Sequence, residues 1–158
     1  MPGLIRDGYV IDTCAIIDLW HQYPPKTFAG LWTRIDSLAV AGRLLCPGQV
    51  LAELRKKDDE AASWLEERKT RIVTKEDVQV WNLGQKIASA HKGLVKPSKF
   101  SPQADPFVIA LAKKLGWTVV TSERTKGFGS VNIPSVCRKE SVPCLNLLEF
   151  FANENWRL

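Results

Sequence analysis

Four acidic residues stand at comparable boundaries between predicted strands and helices. They are Asp12, Glu53, Asp105 and Glu123. Asp12 follows the apolar run Tyr-Val-Ile and precedes apolar residues at helical spacing, so its carboxylate lies where a strand passes into a helix. Ligands of open α/β sheets bind at this edge of the sheet. The alternative is that Asp12 only caps the N-terminus of the following helix.

The other three acids occupy similar positions. Glu53 lies on the helix after the second predicted strand, and Asp105 opens a helix that is apolar nearly all round. Glu123 follows the strand that begins at Trp117. In a doubly wound sheet the strand ends and helix starts share one edge, so all four carboxylates would face one crevice. Each also has a simpler explanation: a cap at Asp105, a solvent-facing helix acid at Glu53 and a loop acid at Glu123.

Converging carboxylates without a matching lysine or arginine repel one another, which raises their pKa values or recruits a cation. Hard oxygen ligands select Mg²⁺ or Mn²⁺, and we expect one or two ions. Such ions activate water and stabilise the leaving oxygen during hydrolysis of phosphate esters. The positive end of the helix that begins at Asp105 adds to this effect. The four acids therefore predict a metal-dependent phosphodiesterase.

Hydrophobic periodicity predicts alternating strands and helices. The predicted strands cover residues 9–11, 44–46, 71–73, 117–121 and 142–145. The predicted helices cover residues 12–21, 28–40, 50–54, 58–69, 76–90, 105–115, 133–137 and 147–151. Asp105 is predicted as an N-cap, with Pro106 at the first helical position and Gly116 as the C-terminal stop. The alternation predicts a parallel sheet with helices on both faces, in a single domain over residues 1–158.

The composition is that of an ordinary globular protein. The chain is 45% hydrophobic and 25% charged, with a formal net charge of +5, which permits contacts with nucleic acid. We expect a cytoplasmic protein without a membrane segment, because no signal peptide and no uncharged run of about 18 residues is present. The four cysteines form no Cys-x-x-Cys pair and only two histidines accompany them, which argues against a zinc site and favours reduced, buried thiols.

Basic residues flank the third and fourth acids along the chain. Those that could contact phosphates are Lys92, Lys96, Lys99, Arg124 and Lys126. Phe100 lies in the same loop as the three lysines that precede Asp105, and it could stack on a base. The alternative for each of these lysines is that it only keeps the surface soluble.

Four motifs together resemble the PIN domain, a family of small metal-dependent ribonucleases that includes VapC-like toxins. They are Val-Ile-Asp-Thr, Val-Leu-Ala-Glu-Leu, Ala-Asp-Pro-Phe-Val-Ile-Ala-Leu-Ala and Val-Val-Thr-Ser-Glu. The resemblance runs from about Tyr9 to Phe151, and it implies a PIN-like (Rossmannoid) three-layer α/β/α fold with a central parallel sheet. The late Ile-Pro-Ser-Val-Cys segment resembles a less characterised PIN subgroup.

The resemblance also implies roles for individual residues. The acidic positions of the family match Asp12, Glu53, Asp105 and Glu123, which would be the catalytic residues and metal ligands. Supporting roles are implied for Thr13, Thr121 and Ser122, the last two as water or phosphate ligands. Two positions depart from the family pattern: Cys14 stands where many members carry Asn or Ser, and Glu123 stands where many carry Asp. These departures leave open the number of metal ions and whether Glu123 binds metal only through water.

The resemblance thus predicts an Mg²⁺- or Mn²⁺-dependent endoribonuclease, the toxin of a prokaryotic type II toxin–antitoxin system. Its substrate is RNA, and an apolar groove containing one or two tryptophans could bind an antitoxin helix or a second copy of the chain. The alternative is a catalytically weak or inactive PIN-like RNA-binding or scaffold protein. A phosphoryl-transfer receiver domain would need adjacent acids, but Thr13 follows Asp12. Nucleotide-binding folds are disfavoured because no Gly-x-x-x-x-Gly-Lys-Ser/Thr motif occurs.

Overall fold

In a computed structural model that describes residues 8–95, 103–124 and 131–158, four short strands form a central sheet. They are β1 (Tyr9–Ile11), β2 (Leu44–Leu45), β3 (Thr118–Val120) and β4 (Cys144–Leu145). Their order is β2-β1-β3-β4, and all three pairings are parallel. Tyr9 pairs with Leu44 on one side and with Thr118 on the other. The chain therefore leaves β1 in one direction and later returns on its other side, which makes the β1–β3 boundary the topological switch point.

Helices flank this sheet and connect its strands. The described helices are α1 (Thr13–Gln22), α2 (Ala29–Val40), α3 (Gly48–Lys57), α4 (Asp59–Glu67), α5 (Lys69–Ile72), α6 (Val78–Ala90), α7 (Asp105–Leu115), α8 (Ile133–Lys139) and α9 (Leu147–Asn153). Crossovers between parallel strands are right-handed, so connections that run in opposite directions from β1 place their helices on opposite faces. The predicted three-layer α/β/α architecture with a central parallel sheet is confirmed. No helix among the described residues is both long enough and apolar enough to cross a membrane.

The core lies on both faces of β1. Its three residues are at most 1% exposed, as expected for a parallel strand covered by helices on either side. Helix α7 is buried over seven consecutive residues, Pro106 to Ala112, because it packs against the sheet and against α6. The contact with α6 is close: a Cβ added at Gly84 would lie 2.4 Å from Cδ1 of Phe107. Gly84 therefore allows the two helices to approach, and α7 is held firmly at the edge of the sheet.

One predicted strand is wrong. Residues 71–72 belong to the short helix α5 (Lys69–Ile72), and only Val73 pairs with the sheet, through an isolated parallel bridge to Cys46. The backbone N–H of Ile72 bonds to the carbonyl of Arg68, and that of Val73 bonds to the carbonyl of Lys69. A run of three residues is too short for β-branched composition to decide between a strand and a turn of helix.

Candidate active site

Asp12 lies at the carboxyl end of β1, at the switch point. It is 1% exposed, and its Oδ1 accepts a hydrogen bond of 2.8 Å from the backbone N–H of Ala15, so it caps helix α1. Its Oδ2 accepts a hydrogen bond from the hydroxyl of Thr121, which follows β3. The Sγ of Cys14 lies 3.2 and 3.1 Å from the two carboxylate oxygens. Asp12 therefore joins the ends of the two central strands.

Burial raises the pKa of Asp12 from its ordinary 3.8 to about 7. The hydrogen bonds from Thr121, Ala15 and Cys14 favour the charged form and oppose this rise, whereas the charge of Glu123 adds to it. The pKa of the Asp12 carboxyl group therefore lies near pH 7, so at that pH a proton competes with any cation for the carboxylate.

Helix α3 contributes Glu53, which is partly exposed. The hydroxyl of Thr13, the first residue of α1, donates a hydrogen bond of 2.6 Å to its Oε1. This bond connects the residue after Asp12 to the second acid, and it orients the Glu53 side chain toward the start of α1. The supporting role of Thr13 stays a prediction.

Asp105 is not an N-cap, so that prediction is wrong. Ala104 takes the N-cap position with helical dihedral angles (φ −73°, ψ −28°), and Asp105 is the first residue of α7 with Pro106 after it. Within the described part of the chain, the Asp105 carboxylate forms no hydrogen bond or ion pair. Because the chain is already helical at Ala104, the carboxylate is not used for capping and is left to interact with the other acids.

The other three acids affect the pKa of Asp105. Burial, followed by the charges of Glu123, Asp12 and Glu53, raises the pKa of Asp105 from 3.8 to about 8. Three carboxylates from three other segments therefore lie close enough to disfavour its ionised form. The structure brings together the four acids that the sequence singled out, at the predicted edge of the sheet.

Glu123 has a structural task as well. Its Oε2 accepts a hydrogen bond of 2.9 Å from the backbone N–H of Ile133, at the start of α8, and its own backbone N–H donates to Oγ1 of Thr121 at 3.1 Å. Thr121 thus links the backbone of Glu123 to the carboxylate of Asp12. Ser122 lies beside the Cys14 thiol, whose pKa is raised to about 12 by burial and by the charge of Asp12.

The donor type and the donor arrangement give different answers about a metal ion. Asp12 and Asp105, whose pKa values are raised, form with Glu53 and Glu123 a set of carboxylate donors that suits a hard divalent cation. Across the described ranges, however, no three His, Cys, Asp or Glu side chains lie close enough together to hold an ion as they stand. Oxygens of Asp12, Glu53 and Glu123 are engaged in hydrogen bonds within the protein. Coordination would require these side chains to move toward Asp105.

The sequence argument missed a cation in this cluster. Four acids without a matching lysine or arginine were expected from the sequence. The charge of Lys57, however, lowers the pKa of Asp105. Lys57 lies four residues after Glu53 on α3, and residues at this spacing share one face of a helix. This spacing was the signal that could have identified it.

The basic residues predicted to contact RNA are only partly described. Arg124 is exposed, and its backbone carbonyl accepts a hydrogen bond of 2.8 Å from Nδ2 of Asn132, which fixes the start of the segment after Glu123. Lys92 is exposed near the end of α6. Lys96, Lys99, Phe100 and Lys126 lie outside the described residues.

A groove of about 990 Å³ lies between the start of α3 and the helices α6 and α7. Trp81, 44% exposed, lines it and stacks on Phe107 with 5.0 Å between ring centroids, two residues after Asp105. Trp32 and Trp64 are buried, at 6% and 5% exposure. The prediction that most of the helical tryptophans belong to the core and that one or two line an exposed groove agrees with these positions.

Comparisons with known proteins agree with the fold. The profile of a family described as a domain of unknown function (DUF4411) matches residues 9–158. VapBC2 from Rickettsia felis, bound to a DNA fragment from their promoter, matches with 18% identity and a TM-score of 0.55, over 87% of this chain and 97% of that chain. VapBC-1 from nontypeable Haemophilus influenzae matches with 19% identity and a TM-score of 0.53, over 87% and 96%. No curated protein matches the chain at a significant level. The structural matches confirm the predicted PIN-like fold.

Proposed function

Because the chain belongs to the DUF4411 family and has a PIN-like fold, we propose that it is a metal-dependent endoribonuclease, the toxin of a prokaryotic type II toxin–antitoxin system. The observation that carries this proposal is the environment of Asp105, whose pKa is raised by burial and by three further acids at the switch point of the sheet. Structural capping alone gives no reason to gather four acids beside one another.

In this proposal Asp12, Glu53, Asp105 and Glu123 hold Mg²⁺ or Mn²⁺. A bound divalent ion supplies activated water and neutralises negative charge that develops at the phosphate. The chain's own residues prepare the site. The Thr121 hydroxyl favours the charged form of Asp12, and the Thr13 hydroxyl orients Glu53. Besides burial, the charges of the other three acids disfavour the ionised form of Asp105, and a cation would relieve this repulsion.

The test is cleavage of a mixed pool of structured and unstructured RNA with Mn²⁺, with Mg²⁺ and with a chelator. Asp12→Asn and Asp105→Asn should abolish cutting while the fold is retained, because each removes a charged ligand without changing the side-chain shape. Glu67→Gln is the matched control, since the Glu67 side chain is 75% exposed on α4 and should not matter. Cutting by either aspartate variant at the wild-type rate would contradict the assignment.

Glu123→Gln should reduce cleavage less than Asp12→Asn. The glutamine carbonyl can still accept the hydrogen bond from Ile133, so this variant removes the charge and keeps the contact with α8. A loss of activity as complete as that of Asp12→Asn would show that Glu123 binds the ion directly.

A catalytically weak or inactive RNA-binding or scaffold protein is the second candidate. One observation favours it: Glu123 and Glu53 are both engaged in hydrogen bonds within the protein, and no three-ligand cluster is preformed in the described ranges. Calorimetric titration with Mn²⁺ separates the two candidates. A nuclease binds the ion through Asp12 and Asp105, whereas a scaffold gives the same heat for the wild type and for Asp12→Asn.

We propose an antitoxin protein as the partner, because the two structural neighbours described above are VapBC proteins. A homodimer is the other proposed assembly, and the cytoplasm is the proposed location. Sedimentation of the purified chain, alone and with the product of any gene adjacent to its own, tests these assemblies.

A further inference from the structure

We propose that Lys57 binds the phosphate group of the substrate beside the four carboxylates. This inference rests on the proposed nuclease function and adds a substrate contact to it. A phosphodiester carries a negative charge, and a cluster of acids repels it. A basic side chain beside the cluster would attract the phosphate in addition to any bound metal ion, provided that another side chain does not already neutralise it.

Lys57 is placed at the cluster by the geometry of α3. Glu53 and Lys57 are four residues apart on this helix, so their side chains emerge from one face, one turn apart. Glu53 in turn accepts a hydrogen bond of 2.6 Å from the hydroxyl of Thr13, the residue that follows Asp12. Lys57 therefore lies one helical turn from the acid that is bonded to the start of α1.

Lys57 is also available. It is exposed, and it forms no ion pair or hydrogen bond with any residue in the ranges that the structure describes. The neighbouring Arg55 differs, because its Nη2 forms an ion pair of 2.6 Å with Glu66 of α4. Lys56 is exposed as well, but it lies one residue before Lys57 and so emerges about 100° away around the helix.

The competing explanation is that Lys57 only complements the negative end of the α3 dipole. A cation in the last turn of any helix has this effect, typically 0.3–1 kcal/mol. Lys56 occupies the same turn and serves this purpose equally. Lys56→Met is therefore a matched control, because it removes another exposed lysine of the same turn but leaves the cluster unchanged.

The experiment measures binding of a fluorescent single-stranded RNA oligonucleotide by anisotropy, with a chelator present and at several salt concentrations. Loss of one phosphate contact should lower the slope of log affinity against log salt by about 0.7 and weaken binding roughly 4-fold at 0.15 M salt. We expect this from Lys57→Met, no change from Lys56→Met, and near wild-type affinity from Lys57→Arg. With Mn²⁺, the same Lys57→Met change should raise KM more than it lowers kcat.

The outcomes separate this inference from the nuclease proposal. If the wild type cleaves RNA and Lys57→Met behaves like Lys56→Met, the phosphate contact is refuted and the nuclease stands. If Lys57→Met loses affinity in an RNA complex that is never cleaved, the contact stands and the nuclease fails. Absence of RNA binding by the wild-type chain overturns the inference, as does a loss of affinity in Lys56→Met equal to that in Lys57→Met.

Discussion

The raised pKa of Asp12 predicts how the stability of the metal-free protein depends on pH. In the unfolded chain this carboxyl group has its ordinary pKa of 3.8, and in the folded chain burial raises it to about 7. The folded state therefore keeps a proton that the unfolded state releases. Its contribution to stability is complete below pH 3.8 and is lost as the pH rises to about 7. The free energy of unfolding should fall with pH over this range.

The size of this change in stability follows from the difference between the pKa values of Asp12 in the folded and unfolded states. At about 1.4 kcal/mol per pH unit, the whole change at Asp12 is about 4 kcal/mol, of which about 2 kcal/mol falls between pH 5.5 and pH 8.5. Asp105, with a pKa of about 8, adds a further loss in the same range. The two acids interact, so their effects are less than additive. The free energy of unfolding of a typical domain is about 5–15 kcal/mol, so a change of this size can be measured.

The assay is urea denaturation in chelator at pH 5.5 and pH 8.5, followed by fluorescence of the six tryptophans. Asp12→Asn should reduce the loss of stability between the two pH values by about 2 kcal/mol. Asparagine caps a helix as well as aspartate, so the bond from Ala15 is retained. An equal loss in wild type and variant would refute the claim that Asp12 is buried with a raised pKa. So would a variant that is less stable than wild type at pH 8.5.

Two further changes test other contacts of the site and its support. Thr121→Val removes a buried hydrogen-bond donor to Asp12 and should lower the free energy of unfolding by about 1–3 kcal/mol at pH 8.5. The effect should be smaller at pH 5.5, where Asp12 is more protonated. Equal effects at the two pH values in the same urea assay would contradict this. Gly84→Ala places a Cβ 2.4 Å from Phe107, and this overpacking should cost about 1–3 kcal/mol of folding free energy and so lower the melting temperature, despite the better helix propensity of alanine. A rise in melting temperature would show that α6 and α7 pack less closely.

Much of the fold could be predicted from local pattern. The runs Tyr9–Ile11 and Thr118–Val120 are apolar, β-branched or aromatic, and they form the two central strands as expected. The assignment failed where the pattern was too short to be decisive, at residues 71–72. The strand order is a property of pairing between distant segments, such as Val10 with Val119, and composition carries no direct record of it. The prediction was therefore limited to a central parallel sheet, without a strand order.

The site could be predicted at the level of which acids converge, and less well at the level of what each one contacts. Asp105 fits an N-cap by residue type, but the backbone of Ala104 is already helical, so the cap position lies one residue earlier. The bond from Ile133 to Glu123 joins residues ten apart in the chain, and no local sequence pattern predicts it. Lys57 could have been found, because its spacing from Glu53 is a helical one.

Two N-caps in the same chain show which explanation of Asp12 is correct. Asp58 and Asp12 each accept a hydrogen bond from the backbone N–H three residues later, from Ala61 at 3.0 Å and from Ala15 at 2.8 Å. The pKa of Asp58 is lowered, first by that bond and then by its contact with His21, whereas burial raises the pKa of Asp12 to about 7. Capping is common to both residues, so it does not account for the opposite directions. The difference comes first from the burial of Asp12, and also from the nearby Glu123 charge at Asp12 and the His21 contact at Asp58. Asp12 therefore caps its helix and belongs to the acid cluster at the same time.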